Sequence, residues 1–312
     1  MKERNPFHDG ERYMQERAGE RETALRNGVL VGEAIPPRAI LFLSQQRMLA
    51  IGSVDERGTV WASVLLGAQS FVSSSDGRSV VIDRTRVHAT GDDPLWSNLR
   101  VGEDVGLLAI DLESRRRLRM NGMVDGVTDR RIEVSIRDAY PNCPKYIQRR
   151  HVREDPGARP IDQQPLAHGR FLDEVRSRVV ERADTLFVAS RHPTRGVDIS
   201  HRGGAPGFVR VLNATELRLP DYRGNSMFNT LGNFVVDNRA GLVVLDFDRR
   251  RLLQMTGTVV VRFDEEEHPR QPTGGTGRYW DFHVGCWLEL PVAMPIAWDL
   301  LDSSAYNPIP RV

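Results

Sequence analysis

The sequence predicts a mainly β fold with short helices, built as two related antiparallel units in tandem. Three observations carry this. Residues Gly106 to Val124 (GLLAIDLESRRRLRMNGMV) and Gly241 to Val259 (GLVVLDFDRRRLLQMTGTV) align without a gap at an offset of 135. Upstream, Gly67 with Phe71-Val72 matches Gly204 with Phe208-Val209 at an offset of 137, and Ser63 matches Ser200. Both copies consist of short β-prone runs broken by Gly and Asp turns. A period this long excludes a solenoid and suits two related domains.

The elements follow in order. Residues 8 to 28 (HDGERYMQERAGERETALRNG) are polar and rich in helix formers, with Gly28 as a stop, and predict one exposed helix packed across the β units. Pro36-Pro37 closes this lead-in, and Arg38 to Ser44 reads as a short helix or strand. Met48 to Val54 and Val60 to Leu66 form a hairpin around Asp55-Glu56-Arg57-Gly58. Phe71-Val72 and Ser79 to Ile82 add strands. Asp92-Asp93-Pro94 caps a short helix, with Pro in its first turn. Leu107 to Leu112 and Arg117 to Val124 pair around Glu113-Ser114-Arg115, and Arg131 to Asp138 adds another strand.

The second copy repeats the pattern. Strands run over Thr185 to Ser190, Asp198 to Ser200 and Phe208 to Asn213, a helix lies near Asn225 to Val236, and Leu242 to Val261 forms the hairpin. Asp155 to His168, with three prolines, is the expected linker, and Phe171 to Arg182 an amphipathic helix introducing the second copy. The expected boundaries are 1–35 for the lead-in, 36–154 for the first domain, 155–170 for the linker and 171–312 for the second domain. Closing each unit into a small barrel removes its sheet edges; an open sandwich is the alternative.

Composition bounds the function. The 312 residues have room for two cores, and a formal net charge of +1 makes no electrostatic case for nucleic acid. The only lysines are Lys2 and Lys145, so cationic chemistry falls to arginine, either as phosphate and carboxylate forks or as a matter of codon usage. Cys143 and Cys286 lie far apart and suggest free thiols in a reducing cytoplasm. No run approaches a membrane span, and the charged N-terminus lacks a targeting core. The eight histidines show neither HExxH nor CxxC spacing, so no metal is expected, and neither a G-x-S-x-G elbow nor a P-loop is present.

Two segments carry chemistry, both in the second copy. Ser200-His201-Arg202-Gly203-Gly204-Ala205-Pro206-Gly207 places two donor side chains beside glycines that let a ligand approach the backbone. The second segment, Asp221 to Thr230 (DYRGNSMFNT), leads into a helix with Asn225 or Ser226 as its N-cap and Arg223 one turn outside, and offers a site for phosphate. A Gly-rich hairpin and plain capping are the bland readings. A third segment, Ala139 to Arg150 (AYPNCPKYIQRR), gathers Cys143, Lys145 and Tyr146 and reads either as part of a pocket or as a proline-held crossover. Trp280, His283 and Trp287 read as a roof over a flat ligand or as core.

In order, SHRGGAPGFV, GNSMFNTLGN and the VVLDFDRRRLLQMTGTV hairpin resemble the split-barrel flavoproteins related to pyridoxamine 5'-phosphate oxidase. FHDGE (Phe7 to Glu11) with Gln15, WASVLLG (Trp61 to Gly67) and AYPNCPKYIQRR point to their two-barrel, flavin-nucleotide-binding branch. The resemblance implies two tandem split β-barrels of the FMN-binding type, with FMN between two barrels and its phosphate held by Arg, Ser or Lys. It makes Arg202, Arg223, Asn225 and Ser226, with His201 beside them, the phosphate candidates. Ser190, Ser200 and Asn229 become candidates for the ribityl chain or ring edge. The family's phosphate lysine is missing, since Phe228 stands there. The substrate Arg-x-His element of true pyridoxamine phosphate oxidases is absent from Gly277 to Leu290.

The implied activity is that of an FMN-dependent oxidoreductase passing a hydride between a small-molecule substrate or NAD(P)H and the flavin, with no catalytic side chain singled out. Alternatives are an F420-dependent reductase, a non-catalytic flavin or haem carrier, and a barrel pair serving as an interaction module. A homodimer is expected, although one chain already holds both units.

Overall fold

In a computed structural model, which describes residues 5–88, 91–155, 167–292 and 294–309, the β-prone runs form two main sheets. The first copy supplies β1 (Met48–Val54), β2 (Val60–Leu66), β3 (Val72–Ser73), β4 (Ser79–Asp83), β5 (Asp104–Asp111), β6 (Arg116–Val127) and β7 (Arg131–Pro141). Next come β8 (Arg149–Glu154) and β9 (Ala167–Gly169). The second copy supplies β10 (Thr185–His192), β11 (Gly196–Gly203), β12 (Arg210–Asn213), β13 (Glu216–Pro220), β14 (Arg239–Asp246), β15 (Arg251–Arg262) and β16 (Tyr279–Pro291), and β17 (Ile296–Asp302) ends the series. The first sheet is ordered β2-β1-β5-β6-β7-β4-β3 and the second β11-β10-β14-β15-β16-β13-β12, the same path strand for strand. The mainly β expectation holds. Each pairing path is open rather than a closed ring.

Register repeats as well as order. Gly52 lies opposite Gly106 in the first sheet, and Ala189 opposite Gly241 in the second. Each long hairpin strand shifts register against its neighbour at the same place, between Asn121 and Gly122 and between Thr256 and Gly257, where the partner strand carries one extra residue, Arg137 in β7 and Gly285 in β16. The glycines facing these bulges are steric necessities: a Cβ at Gly122 would meet the Ser135 carbonyl oxygen at 1.9 Å, and one at Gly257 the His283 oxygen at 1.9 Å. The matched hairpins of the sequence therefore occupy matched places in the two sheets.

Three large apolar cores result, with a small fourth cluster of Phe7, Ala24, Tyr140 and Met227 where the lead-in packs. One lies within the first sheet's unit, around Leu49, Ile51, Leu107, Met120 and Val134. Another lies within the second, around Val188, Leu242, Met255, Trp280 and Phe282. The third is shared, with Ala50, Ala62 and Leu108 of one half packed on Phe187, Ile199 and Val243 of the other. Strand β1 feeds two cores because its side chains alternate: Leu49 and Ile51 point one way, Met48 and Ala50 the other. In the shared core the backbones nearly touch. A Cβ on Gly106 would lie 2.8 Å from Asp198 Cα, and one on Gly241 would lie 2.7 Å from Ala62 N. β17 also pairs with β8, tying the end of the second copy to the end of the first.

The helices correct several expectations. The single lead-in helix is two, α1 (Asp9–Arg17) and α2 (Arg21–Gly28), because Gly19 between them takes φ +67°. Nor is α1 simply exposed: Gly10, Glu11, Met14 and Gln15 are buried. Arg38 to Ser44 is helical, as α3 (Pro37–Ser44), with Pro37 in its first turn. In α4 (Leu95–Asn98) Pro94 is the N-cap rather than a first-turn residue and no side chain caps the helix, although Asp93 Oδ1 accepts from Leu95 N at 2.9 Å just ahead of it. The helix expected from Phe171 begins later, as α5 (Glu174–Arg182), where Asp173 accepts from Arg176 N. The helix expected near Asn225 begins at Asn229, as α6 (Asn229–Val236). Its N-cap is Phe228 in the left-handed region, and no side chain caps it, so neither Asn225 nor Ser226 has that role. Of the expected linker, residues 156–166 lie outside the described residues.

The backbone contact between the halves yields a stability prediction. Gly106→Val forces a side chain into the Asp198 backbone and is expected to cost about 1–3 kcal/mol. Gly91→Ala, which faces open space, should cost little. Urea unfolding of both variants checks this, and equal midpoints would show that the sheets do not meet at Gly106.

Candidate functional site

Where the halves meet beside α6, their side chains enclose a cleft with about 860 Å³ of empty space, including the solvent at its mouth. The first half contributes Arg117 and Arg119 from β6 and Asn142, Cys143, Lys145 and Tyr146 from the segment after β7. The second contributes Ser200 to Gly203 at the end of β11, Asp221, Tyr222, the 224–231 segment and Arg278. Arg117 and Arg119 share the cleft because alternate residues of a strand face the same side. Glu20, just ahead of α2, completes the lining.

Five cations but only two carboxylates, Glu20 and Asp221, line this cleft. Arg202 donates to Asp221 at 3.0 Å, and Arg278 to Asp221 at 2.9 Å and Glu20 at 3.3 Å. Arg119 pairs with buried Asp198 of β11 at 3.1 Å and also donates to Asn229 Oδ1 and the Tyr140 hydroxyl. Burial raises the Asp198 carboxyl above its ordinary value, and Arg119 beside it opposes that rise.

Arg117 differs from the other guanidiniums. Its Nε donates to the Cys143 carbonyl at 2.7 Å and its Nη1 lies 3.2 Å from His201 Nδ1; no carboxylate pairs with it among the described residues. Burial, with repulsion from Arg119, brings it down to about 9, so it stays charged at neutral pH.

His201 is neutral, because burial and then Arg117 and Arg202 hold it well below its ordinary value. A guanidinium only donates, so His201 Nδ1 accepts and the ring proton sits on Nε2. That proton has no acceptor among the described residues. Arg119 Nε, Asn142 Nδ2 and Arg202 Nε are likewise buried and unpartnered. All four are donor nitrogens on the cleft lining, an arrangement complementary to an acceptor-rich, anionic ligand.

Of the residues singled out from sequence, Ser200, His201, Arg202, Asn225, Ser226 and Asn229 line this cleft together, as do Cys143, Lys145 and Tyr146. Arg223 is exposed and reaches the site only through its carbonyl, which accepts from the Tyr146 hydroxyl at 2.9 Å. Ser190 lies away from the cleft, fully buried and bonded to Asn233 Nδ2 at 2.9 Å. Ser226 Oγ donates to Glu20 at 2.5 Å. Trp280 and Trp287 are in the second core. Arg117, Arg119, Arg278 and Glu20 escaped the sequence reading, and Asp221, which opens the second segment, was given no role of its own. One signal was available: in the repeat, Arg117 and Arg119 stand opposite Leu252 and Gln254, so the copies differ at alternating positions of their best-matched strand.

A counterpart of the cleft exists in the other half and is sealed. Asn98 donates to Ser53 as Asn233 does to Ser190, which marks equivalent positions. Where the open cleft has Arg119 and Ser200, the counterpart has Gln254 and Ser63. Gln254 Nε2 donates to Ser63 at 3.1 Å and to Asp93 at 2.8 Å, and Ser63 donates to Asp93 at 2.7 Å. Burial raises the Asp93 carboxyl. The counterpart is filled by buried side chains bonded to one another, with Gln254 Oε1 left without a partner among the described residues.

The FHDGE motif buttresses the open cleft from behind. His8 caps α1 and contacts Asn233 Oδ1 at 3.0 Å, while Glu11 accepts from His8 N and from Asn229 Nδ2. Gly10 is required by α6, since a Cβ there would lie 2.2 Å from the Gly232 oxygen. Among the described residues, no group of three or more His, Cys, Asp or Glu is placed to hold a metal, and no helix is long and apolar enough to cross a membrane.

No family profile and no curated protein matches the chain. Solved structures similar to part of it include HupZ from Group A Streptococcus, with a TM-score of 0.29, 11% identity, and 43% of this chain and 98% of that one covered. A protein assigned as a pyridoxamine 5'-phosphate oxidase from Lactobacillus delbrueckii gives 0.31 and 11%, over 38% and 94%. The FAD binding protein from Mycobacterium smegmatis gives 0.25 and 13%, over 36% and 97%. Each covers less than half of this chain; the strand order and register of the two sheets carry the fold.

Glu11 generates a pH prediction. Burial pushes its carboxyl up to about 7, against hydrogen bonds from His8 and Asn229 that lower it. Because the folded value stands above the ordinary 4.5, Glu11 contributes stability at low pH that is lost as pH rises from there through about 7. Asp198 and Asp93 act in the same sense. His8, brought down to about 4 by burial, acts in the opposite sense, so Glu11→Gln is expected to make the urea midpoint fall less, or rise more, between about pH 5 and pH 8 than in the parent chain. A profile parallel to that of the parent chain would contradict this.

Proposed function

We propose that the cleft binds FMN and that the protein is an FMN-dependent oxidoreductase acting on a small molecule, with NAD(P)H as a candidate electron donor. The observation that carries this reading is Arg117, a charged guanidinium without a carboxylate partner among the described residues, next to the unpartnered Nε2–H of His201. Phosphate oxygens would meet both, with Arg202 Nε and Lys145 completing an anionic subsite drawn from the two halves. The motifs SHRGG, GNS and AYPNCPKY, read from sequence as flavoprotein-like, are the segments that line the cleft.

When bound, FMN supplies two-electron redox chemistry; the chain supplies binding, orientation and exclusion of side reactions. Arg117 and His201 would fix the phosphate end. Asn229, held by Glu11 and Arg119, would present its amide to the polar edge of the ligand, and the half-buried Phe228 and Tyr222 would shield an apolar face. His201 stays neutral while its neighbours remain charged, so it donates without adding to the positive field. The matching sheets support a wider reading, in which the chain is a fused pair of one ancestral unit, divided at 36–154 and 171–312, and needs no second copy to complete its cleft.

Fluorescence titration with FMN tests the site. Arg117→Met is expected to weaken binding about tenfold to a hundredfold, the effect of losing one or two charge-assisted bonds. Arg223→Met, outside the lining, should leave affinity close to that of the parent chain. Reversed effects would overturn the assignment. Bleaching of the bound flavin by NAD(P)H, with recovery in air, separates an oxidoreductase from a carrier.

A further inference from the structure

Three consecutive residues of the cleft loop are each held by the lead-in helices. Asn27 Nδ2 donates to the Asn225 carbonyl at 2.7 Å, Ser226 Oγ donates to Glu20 Oε2 at 2.5 Å, and Gln15 Nε2 donates to the Met227 carbonyl at 3.1 Å. The loop needs such restraint, because Ser226 and Phe228 both take left-handed backbone conformations, at φ +62° and +60°. Glu20 does more than restrain. Its second oxygen accepts from Arg278 Nη1 at 3.3 Å, so one carboxylate bridges a hydroxyl and a guanidinium on the cleft wall.

A hydroxyl and a guanidinium converging on one group make an anion subsite, and here the anion belongs to the chain itself. From it runs an alternating series, Ser226–Glu20–Arg278–Asp221–Arg202. Glu20 sits between Gly19, whose φ of +67° makes it the swivel of the two helices, and the start of α2. Its side chain is 12% exposed, whereas Arg117 of the same cleft has no carboxylate partner among the described residues.

We propose that Glu20 is a specificity-determining residue of this cleft: an intramolecular carboxylate that occupies the Ser226–Arg278 subsite and competes there with phosphate-bearing ligands. The inference rests on the reading of the cleft as an anion site. A phosphate held at Arg117 and His201 meets the negative field of Glu20, and one that reaches Ser226 and Arg278 must displace Glu20 and loosen the Asn27 contact. The cleft thereby discriminates by charge as well as by shape.

The test measures affinity for FMN and, by competition, for inorganic phosphate, at fixed salt. Glu20→Gln keeps the shape and an acceptor for Ser226 but removes the charge. It is expected to bind FMN about tenfold more tightly than the parent chain, with a larger gain for phosphate. Asn27→Ala loosens the lead-in outside the subsite and is expected to shift affinity in the same direction by a smaller factor. Unchanged or weaker binding by Glu20→Gln, while the parent chain binds FMN, overturns the proposal and leaves Glu20 a structural staple. If Glu20→Gln does not fold, Asn27→Ala carries the test, and unchanged affinity overturns it. If neither the parent chain nor any variant binds FMN or phosphate, the reading of the cleft fails and the proposal with it.

Discussion

The close backbone contact at Gly106 and Gly241 is the constraint on which the rest of the structure depends. With no side chain between them, β5 lies against β11 and β14 against β2, and the shared core closes around that contact. The same approach sets Arg119 of one half against Asp198 of the other and brings Arg117 beside His201. Neither half has this set of side chains alone. The cleft is a product of the packing between the halves rather than of either sheet.

Given that packing, charge decides the cleft's character. The buried arginines among the described residues are balanced: Arg119 holds Asp198, Arg150 holds Asp184 and Arg278 holds Asp221, and the half-buried Arg218 and Arg262 share Asp281. The chain thus meets the usual condition that buried charge be paired. Arg117 departs from it, and so do the donor nitrogens near it. Departures of this kind collect at functional sites, because a ligand can complete what the fold leaves open. The sealed counterpart around Gln254, Ser63 and Asp93 makes the contrast internal, since the same scaffold without a guanidinium at this place fills itself with its own side chains.

Much of this was legible in the sequence. The repeat GLLAIDLESRRRLRMNGMV announced paired hairpins, because strand alternation and bulge glycines must recur wherever the same sheet is built. The segments around His201 and Ser226 were legible for a different reason: glycines beside polar donors have few structural uses. The cations of β6 stayed hidden because Arg117 and Arg119 sit inside the best-matched part of the repeat, where similarity suggested a core role. Their partners lie far away in sequence, and no local pattern announces a pairing such as Arg119 with Asp198. Ser190, a polar residue expected at a strand end, lies off the cleft, and its partner Asn233 belongs to the pair repeated at Ser53 and Asn98. Glu20 was unreadable, since its role depends on a swivel at Gly19 that breaks an otherwise helical stretch.

The central claim is that two equivalent places in a paired scaffold have diverged, one kept open for a phosphate-bearing flavin and one sealed. Binding stoichiometry tests this most directly. Titrating the purified chain with FMN at concentrations well above the dissociation constant, with protein quantified by amino-acid analysis, should give one FMN per chain. Two per chain would mean that the counterpart site is not sealed, and none would mean that the open cleft is not a flavin site.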